Sequence, residues 1–188
     1  MGHENMRRMG AIYHLKNNRD SAILYLASAW QWLSAEGFLM QANMAARELG
    51  EIYQEMKDYK SAESFYRSAE SLLDEMLRHH SIYRYDSLKY VVSWGAELYY
   101  PFSKNHIKRN IYNQAILTYN RIYRFYQERS LMDSAFQYLQ KYSSVKDTLV
   151  NLTRKKELIE IQTKFETEAK ERQIDYLKNE NLVKELQI

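Results

Sequence analysis

The stretch Leu49-Gly50-Glu51-Ile52-Tyr53, followed by Ser61-Ala62-Glu63-Ser64-Phe65-Tyr66, decides the fold because the chain contains three related versions of it. The other two are Met9-Gly10-x-x-Tyr13 with Ser21-Ala22, and Ile122-Tyr123-x-x-Tyr126 with Ser134-Ala135. A small residue at the glycine and alanine positions lets two helices approach, while the tyrosine fills the space between neighbouring units. The pattern therefore predicts helical hairpins that stack on one another.

Turn-forming residues are scarce, which favours long helices. The 188 residues include only one proline, Pro101, and five glycines, whereas a β-sheet protein of this length needs many more turn signals. The sequence therefore predicts an all-α fold, a solenoid of helical hairpins with a long C-terminal helix. The predicted helices are 4–17, 20–36, 39–56, 60–79, 83–100, 104–128, 134–148 and 154–188.

The spacing of the repeats predicts the organisation of the chain. The alanines at 22, 62 and 135 are 40 and 73 residues apart, and a gap of 73 indicates a remodelled unit between the second and third copies. We expect a solenoid over 1–153 and a separate charged helix over 154–188. Within the solenoid, the repeats cover about 3–37, 43–79 and 116–149, with remodelled helices over 80–115.

The predicted C-terminal helix combines alternating charges with apolar residues. Leu158, Ile161 and Phe165 keep a heptad spacing, but Glu168 and Arg172 then interrupt it, so a continuous coiled coil is not established. This helix either caps the solenoid or forms the stalk of a homodimer.

Composition gives no sign of an enzyme or a nucleic-acid-binding domain. The net charge is only +3, far from the concentrated basic charge that phosphate binding requires. There is no cysteine, no catalytic signature and no H-E-x-x-H, and we interpret His79-His80 as an exposed helix end. We interpret the aromatic-basic runs at 82–85 and 122–126 as core tyrosines with solvated arginines. No enzyme activity, cofactor, metal, membrane span or bound nucleic acid is predicted for this region.

The repeated phrases resemble the tetratricopeptide family, whose pattern is W-x2-L-G-x2-Y followed by A-x3-F on a helical hairpin. The third unit departs from that pattern because Tyr123 replaces the glycine. The residues that match the family's structural positions are Gly10, Tyr13, Ala22, Gly50, Tyr53, Ala62, Tyr126 and Ala135.

The resemblance also implies a ligand groove lined by the first helix of each unit. Within each unit the implied positions are spaced i, i+4 and i+7, hence on one helix face. Ala11 and Glu48 stand where the carboxylate-gripping members of the family have asparagine, so we do not expect that clamp. The implied groove residues are Arg7, Ala11, His14, Arg47, Glu51, Gln54, Asn120, Arg124 and Gln127.

The phrase from Lys164 to Asn181 resembles the helix that follows tetratricopeptide repeats in bacterial membrane-anchored sensor kinases and transcriptional regulators. The resemblance implies the sensor or interaction region of a larger signalling protein, on the periplasmic side of the inner membrane, with a protein or peptide ligand. A membrane anchor would then lie elsewhere in the full-length protein. The alternative is a free-standing cytoplasmic adaptor that assembles partners.

Overall fold

The computed structural model describes residues 2–79 and 104–186, and this part of the chain is helical apart from its turns, with no strand. The predicted all-α class is confirmed for these residues. The six helices are α1 His3–Leu15, α2 Arg19–Ala35, α3 Leu39–Glu55, α4 Tyr59–His79, α5 Lys104–Glu128 and α6 Met132–Leu186.

Five of the predicted helices match α1 to α5 closely, but α6 differs from the prediction. It runs without a break through 148–154, where the sequence had indicated the end of one helix and the start of another. No glycine or proline lies in this stretch, and the Thr153 hydroxyl donates to the carbonyl of Leu149 at 3.0 Å, a bond that leaves the helix intact. The predicted helix 83–100 lies outside the described residues.

The chain divides into two compact units, Met1–Lys146 and Asp147–Ile188. The first unit contains α1 to α5 and the start of α6, and its core is built where helices of neighbouring hairpins meet. One cluster joins α2 to α3, and another joins α4 to α5. The buried residues of the first are Ala22, Leu26, Leu49 and Ile52, and those of the second include Leu73, Met76, Ile111, Ala115 and Tyr119.

The three hairpins are α1 with α2, α3 with α4, and α5 with the start of α6. Helix α5 lies directly against α3 and α4, so among the described residues no further hairpin separates the second hairpin from the third. Of the stretch 80–115 predicted to hold a remodelled unit, residues 104–115 form the start of α5. The remaining residues of that stretch lie outside the described part of the chain.

The three hairpins share one turn geometry. Each turn has a single residue in the left-handed conformation, namely Asn17, Lys57 and Ser130, with φ of 59°, 61° and 58°. The amide of the next residue then donates to a carbonyl five positions back, at 2.9, 2.9 and 3.0 Å, which satisfies the end of the first helix. The accepting carbonyls belong to the repeat tyrosines Tyr13, Tyr53 and Tyr126.

The same tyrosines stack on an aromatic residue of the second helix in every hairpin. The ring centroids are 5.3, 5.5 and 5.5 Å apart, and the rings are within 13° of parallel. These stacks fix the second helix of each hairpin against the first. The sequence reasoning missed their second members, although these recur at the repeat spacing. The pairs are Tyr13–Tyr25, Tyr53–Phe65 and Tyr126–Tyr138.

The hairpins differ at the glycine position. A Cβ at Gly50 would lie 2.8 Å from the Tyr66 ring, and one at Gly10 would lie 2.6 Å from Leu26. The third hairpin has Tyr123 there, and its residue equivalent to Tyr66 is Leu139. Tyr66 is 2% exposed, whereas Leu139 is 38% exposed. The close approach of the first two hairpins is therefore not repeated at this point of the third.

Candidate functional site

The first implied groove residue, Arg7, is a buried link between two first helices. Its Nη1 donates to Glu48 of α3 at 2.6 Å, and its Nη2 donates to Glu4 at 3.0 Å. Burial opposes the charge of Arg7, but the hydrogen bonds and charges of Glu4 and Glu48 outweigh it and raise the pKa of Arg7. Arg7 therefore holds α1 against α3 and is not free to grip a ligand.

Arg47 occupies the same repeat position on α3 and reaches α5 in the same way. Its Nη1 donates to Gln114 at 3.1 Å and lies 3.5 Å from the hydroxyl of Thr118. Thr118 is fully buried and donates to Asn43 at 3.3 Å, and the Asn43 amide donates to the carbonyl of Ala69 at 2.7 Å. A continuous chain of hydrogen bonds thus joins α3, α4 and α5.

Glu48 lies between the two arginines. Burial raises the pKa of its carboxyl, although the positive charges of Arg7 and Arg47 act in the opposite direction. Burial also lowers the pKa of Arg47, which stays charged at ordinary pH because guanidinium is so strongly basic. One Glu48 oxygen, Oε1, accepts from Arg7, while Oε2 is buried and has no hydrogen-bond partner. The junction between α1 and α3 is therefore a desolvated ionic contact.

A second repeat position also links successive first helices. His14 of α1 lies 3.1 Å from a carboxylate oxygen of Glu55 on α3. Gln54, the equivalent of His14, donates to Glu128 on α5, and it accepts from the Tyr66 hydroxyl at 2.8 Å. Glu55 and Glu128 are 73 residues apart, which is the spacing of the second and third repeats. The same pair of positions therefore makes the same bridge twice.

The remaining repeat position, i+4 in each unit, links two first helices once. Glu51 of α3 makes an ion pair with Arg121 of α5. Its equivalent on α1 is Ala11, which has no polar side chain, so this ion pair has no counterpart between the first and second hairpins.

On α5 the equivalent positions are open. Asn120 is half-buried, and Arg124 and Gln127 are exposed. Leu117 lies on the same side of the helix, one turn before Asn120 and two turns before Arg124, and is 46% exposed. The positions that tie one hairpin to the next in α1 and α3 thus make no hydrogen bond or ion pair to another described residue on α5. We call Leu117, Asn120, Arg124 and Gln127 the α5 face.

The aromatic residues near these positions are mostly internal. Phe125 and Tyr126 are buried, whereas Arg124, which directly precedes them, is exposed to solvent. Tyr126, Tyr119 and Tyr138 donate to carboxylates of α4, at 3.0, 3.4 and 2.6 Å. Burial, reinforced by these carboxylates, raises the pKa of all three phenols. These tyrosines hold the third hairpin on the second.

The structural-motif residues lie in the interior of the first unit. Tyr13 and Tyr53 are half-buried. The buried ones are Gly10, Ala22, Gly50, Ala62, Tyr126 and Ala135.

Sequence reasoning missed the partners of the groove residues. Glu48, Glu55 and Glu128 contact Arg7, His14 and Gln54, so these three implied groove residues already have partners within the chain. The only signal in the sequence was the repeat spacing that relates Glu55 to Glu128, since a pair that recurs in successive units favours a contact between units.

Within residues 2–79 and 104–186, no three or more His, Asp or Glu side chains are grouped so that they could hold a metal ion. None of the helices in this part of the chain is sufficiently long and apolar to span a bilayer.

Comparison with known proteins gives no match: no protein-family model fits this chain, and no curated protein or solved structure is significantly similar to it.

Proposed function

We propose that this region is a non-catalytic domain of tetratricopeptide type that binds a protein or peptide at the α5 face. The observation that carries the proposal is the repeated use of one set of positions. In α1 and α3 these positions bind the next first helix. In α5 Arg124 and Gln127 are exposed and Asn120 is half-buried, with no described first helix beside them.

The repeated turns support the tetratricopeptide assignment. The left-handed residue, the bond to the repeat tyrosine and the aromatic stack all recur at the intervals of 40 and 73 residues that separate the repeated phrases. Units built on one template bury their faces by stacking, so the outer unit of a stack has a face without a neighbour.

The chemistry of the partner follows from the contacts that α3 makes with α5. Glu51 binds an arginine of the neighbouring helix, whereas its equivalent on α5, Arg124, has the opposite charge. A matching partner therefore presents a carboxylate to Arg124 and amide-bonding groups to Asn120 and Gln127. The exposed side chain of Leu117 offers an apolar anchor beside them. We infer an acidic amphipathic helix or peptide.

We further propose that the domain is the sensor or interaction region of a larger bacterial signalling or transcriptional regulatory protein, on the periplasmic side of the inner membrane. This part rests on the resemblance of the segment 164–181 and on the residue pattern alone. A ligand at the α5 face would be positioned to alter α6, because α5 and the start of α6 share the core that contains Tyr126 and Ala135.

The test is a comparison of proteins captured by three forms of the chain. Arg124→Glu reverses the charge of the α5 face, and Arg78→Glu makes the same change on an exposed residue of α4. Quantitative mass spectrometry of proteins captured from the source cells should show a partner retained by the parent and by Arg78→Glu and lost by Arg124→Glu. Partners that bind all three forms equally would contradict the proposal, as would the absence of any enrichment over a bait-free control.

A further inference from the structure

The start of α6 exposes apolar side chains on the same hairpin as the α5 face. Met132, Phe136 and Leu139 are 61%, 59% and 38% exposed. Their spacing of i, i+4 and i+7 places them on one side of the helix. They belong to the first unit, as does all of α5. We call these three residues and the α5 face together the end face.

The equivalent residues of the second hairpin are covered by the third hairpin. They lie 73 residues earlier, on α4, and are Tyr59, Glu63 and Tyr66. The ring of Phe125 on α5 lies against both tyrosine rings, and Tyr126 donates to Glu63 at 3.0 Å. One helix, α5, thus packs against α3 and α4 together. The end face is the corresponding surface of the third hairpin, and no described helix covers it.

The first hairpin shows which side chains fit an apolar surface of this kind. The equivalents of Phe136 and Leu139 on α2 are Ile23 and Leu26. Both pack against Leu49 and Ile52 of α3 in one apolar cluster. Leu26 is fully buried there, whereas Leu139 is 38% exposed. A helix with aliphatic side chains at i and i+3 would therefore cover the end face as α3 covers α2.

The charges of the end face favour an acidic helix. The charged side chains on or beside it within the first unit are Arg109, Arg124, Asp133 and Lys146, and all four are exposed. Arg121 and Glu128 of α5 are directed to α3 instead, where they bind Glu51 and Gln54. Positive charge on the end face therefore exceeds negative charge, and a partner with carboxylates complements it.

The contacts between successive first helices indicate where a carboxylate belongs. Glu48 on α3 and Arg121 on α5 are equivalent, and each directly precedes the first aliphatic residue of its helix's apolar side. Glu48 binds Arg7 of the preceding first helix, and Arg121 binds Glu51 of the preceding first helix. The equivalent of Glu51 on the end face is Arg124. A glutamate at this position of a docked helix would therefore pair with Arg124.

A second copy of this chain does not offer such a helix. Its first helix with no preceding hairpin is α1, which has Arg8 at the position in question. Arg8 would meet Arg124, and its ion-pair partner, Glu4, is already shared with Arg7. Like charges at this point disfavour head-to-tail stacking of two copies.

We propose that the end face binds one α-helix of another protein, in the place that the first helix of a further hairpin would take. That helix carries aliphatic side chains at i and i+3, which pack on Phe136 and Leu139, and a glutamate at i−1, which pairs with Arg124. This inference rests on the proposed binding at the α5 face and extends the binding surface to α6.

The probe for the test is a synthetic copy of α3, residues 39–56, because α3 has this pattern in Glu48, Leu49 and Ile52. A hydrocarbon link between positions 47 and 51 keeps the peptide helical, and both positions point away from its apolar side. Fluorescence anisotropy of the labelled peptide measures its affinity for the intact chain.

Three variants of the intact chain are compared with the parent. Leu24→Asp changes an exposed residue of α2 and should bind the peptide as the parent does. Phe136→Asp and Arg124→Glu should each weaken binding by about tenfold or more, because the first loses an apolar contact and the second places two carboxylates together. Circular dichroism should be the same for all four forms, since each changed residue is exposed.

An exchange of charges tests the position of the glutamate. A peptide with Glu48→Arg should bind the Arg124→Glu chain more tightly than it binds the parent, because the ion pair is restored with its charges reversed. The reverse order would overturn the proposed pairing.

The other outcomes separate this inference from the proposed function. Equal binding to the parent and to Phe136→Asp would overturn the inference, and a loss with Arg124→Glu would then still support the α5 face alone. Equal binding to the parent and to Arg124→Glu would contradict both. A parent chain that does not bind the peptide at any soluble concentration would overturn the inference, whereas the captured proteins would still decide the proposed function.

Discussion

Helices α3 and α5 begin from the same template and have different surroundings. Both end in the same left-handed turn, and both carry a polar row at equivalent positions. On α3 the side chains of that row, Arg47, Glu51 and Gln54, all bind residues of α5. On α5 the row is open, with Arg124 and Gln127 exposed.

The comparison shows that a repeat position has no fixed role. The same position contacts the next first helix on α3 and is exposed on α5, where no described first helix lies beside it. Gln54 and Gln127 show this directly, because they are the same residue type at the same repeat position with different partners. A groove inferred from one unit therefore cannot be carried over to all units.

The largest expected difference is in the packing of the second helices. Tyr66→Ala should lower the free energy of unfolding by about 3–5 kcal/mol, because it empties a fully packed space beside Gly50. Leu139→Ala, at the equivalent position of the third hairpin, should lower it by about 1 kcal/mol or less, since Leu139 is partly exposed. Denaturant unfolding measures both, and similar losses would break the comparison.

Gly50→Ala tests the close approach of α3 and α4. The new methyl group would lie within 3 Å of the Tyr66 ring, so overpacking should outweigh the higher helix propensity of alanine and give a net loss of about 1–2 kcal/mol. Combining it with Tyr66→Ala should cost less than the sum of the two single changes, because the clash is then relieved. A gain in stability from Gly50→Ala alone would show that the helices are not close here.

The two glutamines provide a matched pair. Gln54→Ala removes the acceptor of the Tyr66 hydroxyl and the donor to Glu128, so the free energy of unfolding should fall by about 1–2 kcal/mol. Gln127→Ala should change it by less than about 0.5 kcal/mol, because that side chain is exposed. If thermal or denaturant unfolding gave the reverse order, the proposed difference between α3 and α5 would be wrong.

The left-handed turn residues test what the hairpins share. Lys57→Gly and Ser130→Gly should each raise the free energy of unfolding by about 0.5–1 kcal/mol, since glycine adopts positive φ without a steric penalty. Asn17→Gly should have a smaller effect, because asparagine tolerates this conformation better than lysine or serine. A loss of stability at Ser130 alone would mean that the third turn differs from the other two.

The smallest expected effect concerns the start of α4. The hydrogen bonds from Ser61 hold the pKa of Asp58 below its usual value, whereas Asn18, its equivalent in the first hairpin, does not titrate. A lowered pKa in the folded state adds stability above the unfolded value, and this is lost as the pH falls through the folded value. Asp58→Asn should therefore reduce the fall in unfolding free energy between about pH 5 and pH 3 without removing the cap. An unchanged pH slope would contradict the proposed role of Asp58.

The hairpins could be predicted from the sequence because their determinants are local. Tyr53, Lys57 and Ala62 lie close together in the sequence, around the turn between α3 and α4. The same spacing recurs at the turns of the other two hairpins. The residues that bridge the hairpins could not be predicted in this way. Arg47 meets Thr118 only because α5 lies directly beside α3, and the interval of 73 residues between the repeats indicated a further unit between them.

The length of α6 also differs from the prediction, because α6 is one continuous helix where the sequence analysis predicted two. Separate helices were predicted over 134–148 and 154–188. No glycine or proline lies between them, so the backbone hydrogen bonds of the helix continue through this stretch. Only a breaker residue would have indicated an end.

Photo-cross-linking in the source cells tests the α5 face most directly. A photoreactive amino acid would replace Gln127 on that face and, as a control, Glu75, an exposed residue of α4. We predict that position 127 forms an adduct with a different protein, that position 75 does not, and that Arg124→Glu abolishes the adduct. Products at position 127 that contain only this chain, or identical adducts from both positions, would contradict the proposed binding site.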